Sequence, residues 1–446
     1  MSIRLLTWVS AALLLALWLT ACSAQPEKIP VPTGHYEGTL TARGAELRIT
    51  FDLHELPGDS LLADLRMPAA QNLGWHYARV RFAGSQLEAG SGATPALNIR
   101  HESNFFRGTV RLHDTLQAQL LVLRRGAAAA PVYRKRQVRL ATAAGLRSVT
   151  LFVPADTLPH PAVVLLPGNS TMQQQTLQAH ADLLARNGFV ALLFGRPDAS
   201  QSNIKKEVQA ELVDAALAAV RALKFNRRVD STRVGLWGVA DGATAAALAA
   251  SQPGKPVAFV VGVSSAGVTE GAALRYQSQV GLRKAGASTA EARQAMRAFD
   301  ALEQFLRRGR TTDSLKAATA LTAAWQQPWA VHTALPRELP TAAEREAQAQ
   351  WRNFALDPRQ TWQQVRVPVL LLYGGADDRF NASEAAQRLR RVVRQRGSAV
   401  KLYPGADQHL LVNTAPADST TQWQWPQPAP GYLEDMPSWL KQQTEK

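Results

Sequence analysis

Six short apolar runs, unbroken except for Lys401 in the last, constrain this chain more than any other feature. They are Ala162-Val163-Val164-Leu165-Leu166, Phe189 to Phe194, Val234-Gly235-Leu236-Trp237, Val257 to Val263, Val369 to Tyr373 and Ala399 to Tyr403. A strand that is apolar on both faces must be covered on both faces, which is the habit of parallel sheets. Helical patterns stand between the runs. Thr176 to Asn187 ends at Gly188, a good helix stop, and Val208, Leu212, Ala216, Val220 and Leu223 recur at helical spacing. The alternation predicts an α/β fold, a mostly parallel sheet wrapped by helices. A hairpin, Gln137 to Ala141 with Val149 to Val153 about Ala144-Gly145, leads into it.

Between the runs ending near Val263 and starting near Val369 no comparable strand occurs. Ser288-Thr289-Ala290-Glu291 is a capping box ahead of Ala295, Phe299, Leu302 and Leu306. This stretch reads as a helical cap over about 268–360, with Trp325, Trp329 and Trp351 as packing anchors. Upstream, the period changes to two. Leu47, Ile49, Phe51 and Leu53 alternate with Arg48, Thr50 and Asp52, and Leu61, Ala63 and Leu65 follow the same rule. With Tyr77 to Phe82, Phe105 to Leu112 and Gln117 to Leu123 they predict a small antiparallel β domain over 34–125, joined by Gly126 to Pro131 to a domain over 132–442.

Arg4, the apolar stretch Leu5 to Leu19, and then Leu19-Thr20-Ala21-Cys22 form a secretory signal with small residues at its cut site. The last four residues resemble a bacterial lipobox. The resemblance implies cleavage after residue 21, a lipid on Cys22, and an exported protein tethered to a membrane through residues 23–33, which hold Pro26, Pro30 and Pro32. Ser23 in place of aspartate points to the outer membrane, facing either the periplasm or the cell surface. Cys22 is the chain's only cysteine, so no disulfide is available in that oxidising compartment. Lys and Arg number 50 against 35 Asp and Glu, a formal net charge of +15 that suits anionic headgroups or acidic ligands. No zinc finger or other nucleic-acid motif accompanies the basic clusters, and no nucleic-acid partner is expected. The nine histidines show no paired spacing such as H-E-x-x-H, so neither a metal nor another cofactor is expected.

The chemistry concentrates where apolar strands end. Val234 to Trp237 runs into Gly238-Val239-Ala240-Asp241-Gly242 and then into the small-residue stretch Ala243 to Ala250. Tyr373-Gly374-Gly375-Ala376-Asp377 follows one later strand, and Tyr403-Pro404-Gly405-Ala406-Asp407-Gln408-His409 follows the last. In this order the segments resemble the Gly-x-Ser-x-Gly elbow, the acid and the histidine of the α/β-hydrolase superfamily. Bacterial exported esterase-like and dienelactone-hydrolase-like lipoproteins with a β domain in front are the most similar members. Gly34-His35-Tyr36-Glu37-Gly38-Thr39-Leu40 and Phe106-Arg107-Gly108-Thr109 extend the resemblance into the β domain.

The resemblance implies that Asp377 orients His409 and that His409 is the base for a nucleophile at position 240. Position 240 holds alanine. Two other landmarks are altered, with Pro167-Gly168-Asn169-Ser170 at the oxyanion loop and Phe194-Gly195-Arg196-Pro197-Asp198 at the following turn. Gly168, and backbone N–H groups of Asn169 and Asp241, could still form an oxyanion hole. Loss of a serine nucleophile costs on the order of 10⁶ in turnover. Two functions follow. One is a degenerate hydrolase that retains ligand or partner binding, for instance of a small acyl or ester ligand. The other is an active carboxylic-ester hydrolase using Asp241, another serine (Ser170, Ser264 or Ser265), or a water activated by His409.

Overall fold

In the computed structural model the period-two pattern becomes eight strands closed into a barrel: β1 (Gly34–Ala42), β2 (Ala45–Leu56), β3 (Ser60–Met67), β4 (Leu73–Ala83), β5 (Gln86–Ala89), β6 (Leu97–Glu102), β7 (Phe105–His113) and β8 (Leu116–Gly126). The structure describes residues 30–445 apart from 57, 59, 71–72, 91–95, 114–115, 169–172, 195–207, 255 and 413–423. The signal peptide, Cys22, Asn169, Ser170 and the turn 195–198 therefore lie outside the described residues. β1, β5 and β6 are not apparent in the sequence pattern, and closure of the sheet removes the exposed edges that an open sheet would present.

By compactness the chain divides in two. The smaller unit takes residues up to Gly38, Phe51–Ala63 and Tyr77–Ala128, and the larger takes Thr39–Thr50, Asp64–His76 and Ala129–Lys446. In the smaller unit Tyr36, Phe51 and Phe106 form an aromatic centre, with Phe106 packed edge-on against both other rings at centroid separations of 5.0 and 5.6 Å. All three rings are fully buried. The Tyr36 hydroxyl donates to the Pro32 carbonyl at 2.6 Å, so the ring is buried without an unsatisfied polar atom. Gly38 in the same segment is required by close approach, since a Cβ there would stand 1.9 Å from the Leu121 carbonyl oxygen.

The larger unit is built on a second sheet. Its strands are β9 (Tyr133–Thr142), β10 (Gly145–Pro154), β11 (His160–Leu166), β12 (Val190–Phe194), β13 (Val229–Val239), β14 (Val260–Val263), β15 (Val369–Gly374) and β16 (Ala399–Tyr403). Their order is β9-β10-β12-β11-β13-β14-β15-β16. β10 is antiparallel to β9 and β12, and every later pairing is parallel. The helices of eight residues or more are α1 (Gln173–Arg186), α2 (Val208–Lys224), α3 (Asp241–Ala250), α4 (Glu270–Lys284), α5 (Thr289–Arg308), α6 (Thr311–Trp325), α7 (Ala382–Arg390) and α8 (Tyr432–Thr444).

At the central strands β11, β12, β14 and β15 both faces are buried, as the continuous apolar runs require. Ala162, Val164 and Leu166 pack with α2, α3 and α7, while Val163 and Leu165 pack with α1 and α8. Each fully buried leucine or valine contributes roughly 1.5–3 kcal/mol, so these faces dominate the unit's cohesion. Helices α4 to α6 form a separate apolar cluster around Leu282, Phe299, Leu302, Leu321 and Trp329. Ser288 and Glu291 make the expected capping box at the start of α5. Trp329 and Trp351 are buried in this cluster, and Trp325 donates to the Pro336 carbonyl at 2.8 Å.

Candidate functional site

At the carboxyl end of β13 the chain reverses into α3 through Ala240, whose φ of 51° and ψ of −117° are rare for a residue with a Cβ. Such a conformation costs about 1–3 kcal/mol and persists only where its surroundings impose it. The two glycines explain how. A Cβ on Gly238 would lie 2.2 Å from the Gly242 carbonyl oxygen, and one on Gly242 would lie 2.4 Å from the Leu166 carbonyl oxygen. The Ala240 N–H donates to the Val263 carbonyl at 2.9 Å, tying the turn to the end of β14. The strained, tight strand-to-helix turn is thus intact, and its tip carries a methyl group.

The loops that carry the predicted residues are hydrogen-bonded to one another along this edge of the sheet. The Ser264 hydroxyl donates to the Gln408 carbonyl at 2.9 Å, and the Gly375 and Ala376 N–H groups donate to the Tyr403 and Ala406 carbonyls, each at 2.8 Å. The loops after β13, β14, β15 and β16 are therefore linked. The close approach of Gly242 to Leu166 and Pro167 also sets the start of α3 against the loop that continues into half-buried Gly168. Asp241 is exposed at the first position of α3.

The acid and the histidine sit together without the hydrogen bond that the resemblance implies. Asp377 is 2% exposed, and its carboxylate is held by Arg379. Oδ1 accepts the Arg379 backbone N–H at 2.9 Å and Nε at 3.2 Å, and Oδ2 accepts Nη2 at 2.9 Å. Instead, Asp407 builds the histidine loop, its Oδ1 accepting the N–H groups of His409 at 2.8 Å and Leu411 at 3.0 Å. Burial lowers the His409 pKa, and the Arg379 charge lowers it further against the opposing pull of Asp407 and Asp377. Asp377 thus acts on the ring through charge. The Gln408 amide nitrogen lies 3.1 Å from His409 Nε2. An amide NH₂ can only donate, so Nε2 is the acceptor and the ring proton is on Nδ1. In a working triad Nε2 takes the nucleophile's proton; here a glutamine amide occupies it.

A second carboxyl group stands near the elbow. Burial raises the pKa of Glu270, the first residue of α4, and the negative charge of Asp241 raises it further. Neither Glu270 nor Arg379 is evident as a site residue from the sequence. Arg379 leaves a faint trace in the Asp-x-Arg spacing that lets a side chain fold back on a neighbouring carboxylate, whereas Glu270 leaves none. Ser264 and Ser265 are 1% and 0% exposed. Among the described residues no three His, Cys, Asp or Glu side chains converge as a metal site.

No family model and no curated protein matches the chain. Among solved structures it is similar to DcsB in complex with its substrate analogue, at 14% identity over 70% of this chain and all of that one, with a TM-score of 0.43. It is similar to a dienelactone hydrolase from Anabaena variabilis at 13% identity over 71% of this chain and 98% of the other, with a TM-score of 0.38. Est1E from Butyrivibrio proteoclasticus, at 13% identity over 70% and 99% of the two chains, has a TM-score of 0.40. Strand order and elbow geometry agree with what the sequence implies: the larger unit has the α/β-hydrolase fold, with alanine at the tip of its elbow.

Proposed function

We propose that the protein is a degenerate α/β-hydrolase that binds a small acyl or ester ligand, or a partner, without turning it over. One observation carries the reading: Ala240 holds the strained elbow geometry while offering no attacking atom. The engagement of His409 Nε2 by Gln408 and of Asp377 by Arg379 supports it, since base and acid are both committed elsewhere. The experiment is fluorophosphonate labelling and hydrolysis of short-chain aryl esters by the native protein, Ala240→Ser, and Ala240→Ser with His409→Ala. The native chain is expected to be unlabelled and inactive. Robust native turnover abolished by Asp241→Asn or His409→Ala would overturn this reading in favour of hydrolysis by Asp241 or an activated water.

The chain is further proposed to be an exported lipoprotein held through Cys22 at the outer membrane, on the strength of Leu19-Thr20-Ala21-Cys22 after an apolar run. Two or three acyl chains provide stable anchoring where one is reversible. Mass spectrometry of the mature chain tests it, with a lipidated Cys22 as the first residue expected. An unmodified Cys22 with residues 1–21 still attached would remove the proposal.

A further inference from the structure

We propose that a cleft between α4, α5 and α7 binds a neutral polyhydroxylated ligand of the saccharide class. The cleft has a volume of about 290 Å³, near the lower end of the ~300–1,000 Å³ range of small-molecule sites. Ala272, Arg275, Tyr276 and Gln279 line it from successive turns of α4, Glu303 from α5, and Asn381 and Glu384 from the start of α7. These positions on α4 share one face by helical periodicity.

The charges in the cleft are already matched. Arg275 Nη2 lies 2.7 Å from Asp300 and 3.4 Å from Glu303, Glu303 also accepts Arg307 Nε at 2.8 Å, and Glu384 pairs with Arg388. An ionic ligand would find no uncompensated charge to meet. Neutral polar groups remain open. The Tyr276 hydroxyl makes no hydrogen bond among the described residues. Gln279 uses its NH₂ toward the Met296 sulfur, which leaves its carbonyl oxygen, and Asn381 uses its carbonyl oxygen to cap α7, which leaves its NH₂. A hydrocarbon ligand would bury these groups without partners, at a cost that disfavours it. A ligand with hydroxyls on its rim and C–H groups on its faces satisfies both demands, with its hydroxyls meeting the amides and its C–H face covering the Tyr276 ring.

The test is saturation-transfer NMR on the full chain with glucose, N-acetylglucosamine, maltose, cellobiose and N,N′-diacetylchitobiose, with citrate as ionic control and octanoate as apolar control. At least one saccharide is expected to bind. Tyr276→Ala should weaken it about tenfold and Gln279→Ala about threefold, while Leu315→Ser, at an exposed position of α6, binds as the native chain does. Circular dichroism checks each variant's fold. If Tyr276→Ala does not fold, Tyr276→Phe and Gln279→Ala decide, each expected at about threefold. Silence across all five sugars, binding unchanged in the cleft variants, or binding of citrate or octanoate alone would overturn the proposal.

Discussion

Arg379 lies along the carboxylate of Asp377, with Nε 3.2 Å from Oδ1 and Nη2 2.9 Å from Oδ2. The pair commits the acid of a hydrolase-type edge to a cation two residues away, and that cation also bears on His409. Removing the guanidinium would leave a buried carboxylate unpaired, a change that costs about 3–5 kcal/mol at fully buried sites. Arg379 itself is 30% exposed, so Arg379→Ala is expected to destabilise by about 2–3 kcal/mol in urea denaturation. The His409 pKa should rise in the same variant, because the cation that opposes ring protonation has gone. NMR titration of the ring reads this directly.

The elbow should respond in opposite directions to two changes between Gly and Ala. Ala240→Gly relieves a positive φ and is expected to stabilise by about 0.5–2 kcal/mol after the added backbone entropy of glycine is charged against it. Gly242→Ala drives a Cβ into the backbone carbonyl of Leu166. It should destabilise by more than about 3 kcal/mol or prevent folding, the range of severe backbone clashes. Thermal melts of both variants provide the comparison, and equal effects would mean that the strain is not where the geometry places it.

His409 makes stability depend on pH with a definite sign. Its pKa is lower in the folded chain than the ordinary 6.5, so its contribution is fully present above that value and is lost as pH falls through the folded pKa. The unfolded state binds the proton first. Melting temperature is expected to decline from pH 7.5 to 5, and less steeply in His409→Gln.

Glu270 has the opposite linkage. Burial and the Asp241 charge raise its pKa above the ordinary 4.5, so its contribution is full below 4.5 and is lost as pH rises through the folded pKa. At pH 7 the ionised group is a burden. Glu270→Gln is expected to stabilise the protein at pH 7 by about 0.5–1.5 kcal/mol, within the usual range for single substitutions, with the gain shrinking towards pH 4.5. Urea midpoints at the two pH values check it, and a constant difference would contradict the assignment.

Much of the fold was legible because its causes are local. A run such as Val369 to Tyr373 announces a strand covered on both sides, Ser288 and Glu291 announce a helix start, and Gly238 with Gly242 announces a backbone crossing too tight for a Cβ. The absence of a nucleophile at Ala240 was equally plain. The sequence by itself therefore determined the α/β architecture, the elbow and the missing hydroxyl. Tertiary structure alone decided that Asp377 bonds Arg379 rather than His409, that Glu270 comes under the field of Asp241, and that eight strands close into a barrel. Periodicity and turn chemistry are set by neighbours along the chain. The partner of a charged group and the closure of a sheet depend instead on which distant segments meet, and on the relative cost of leaving each group unpaired once water is excluded.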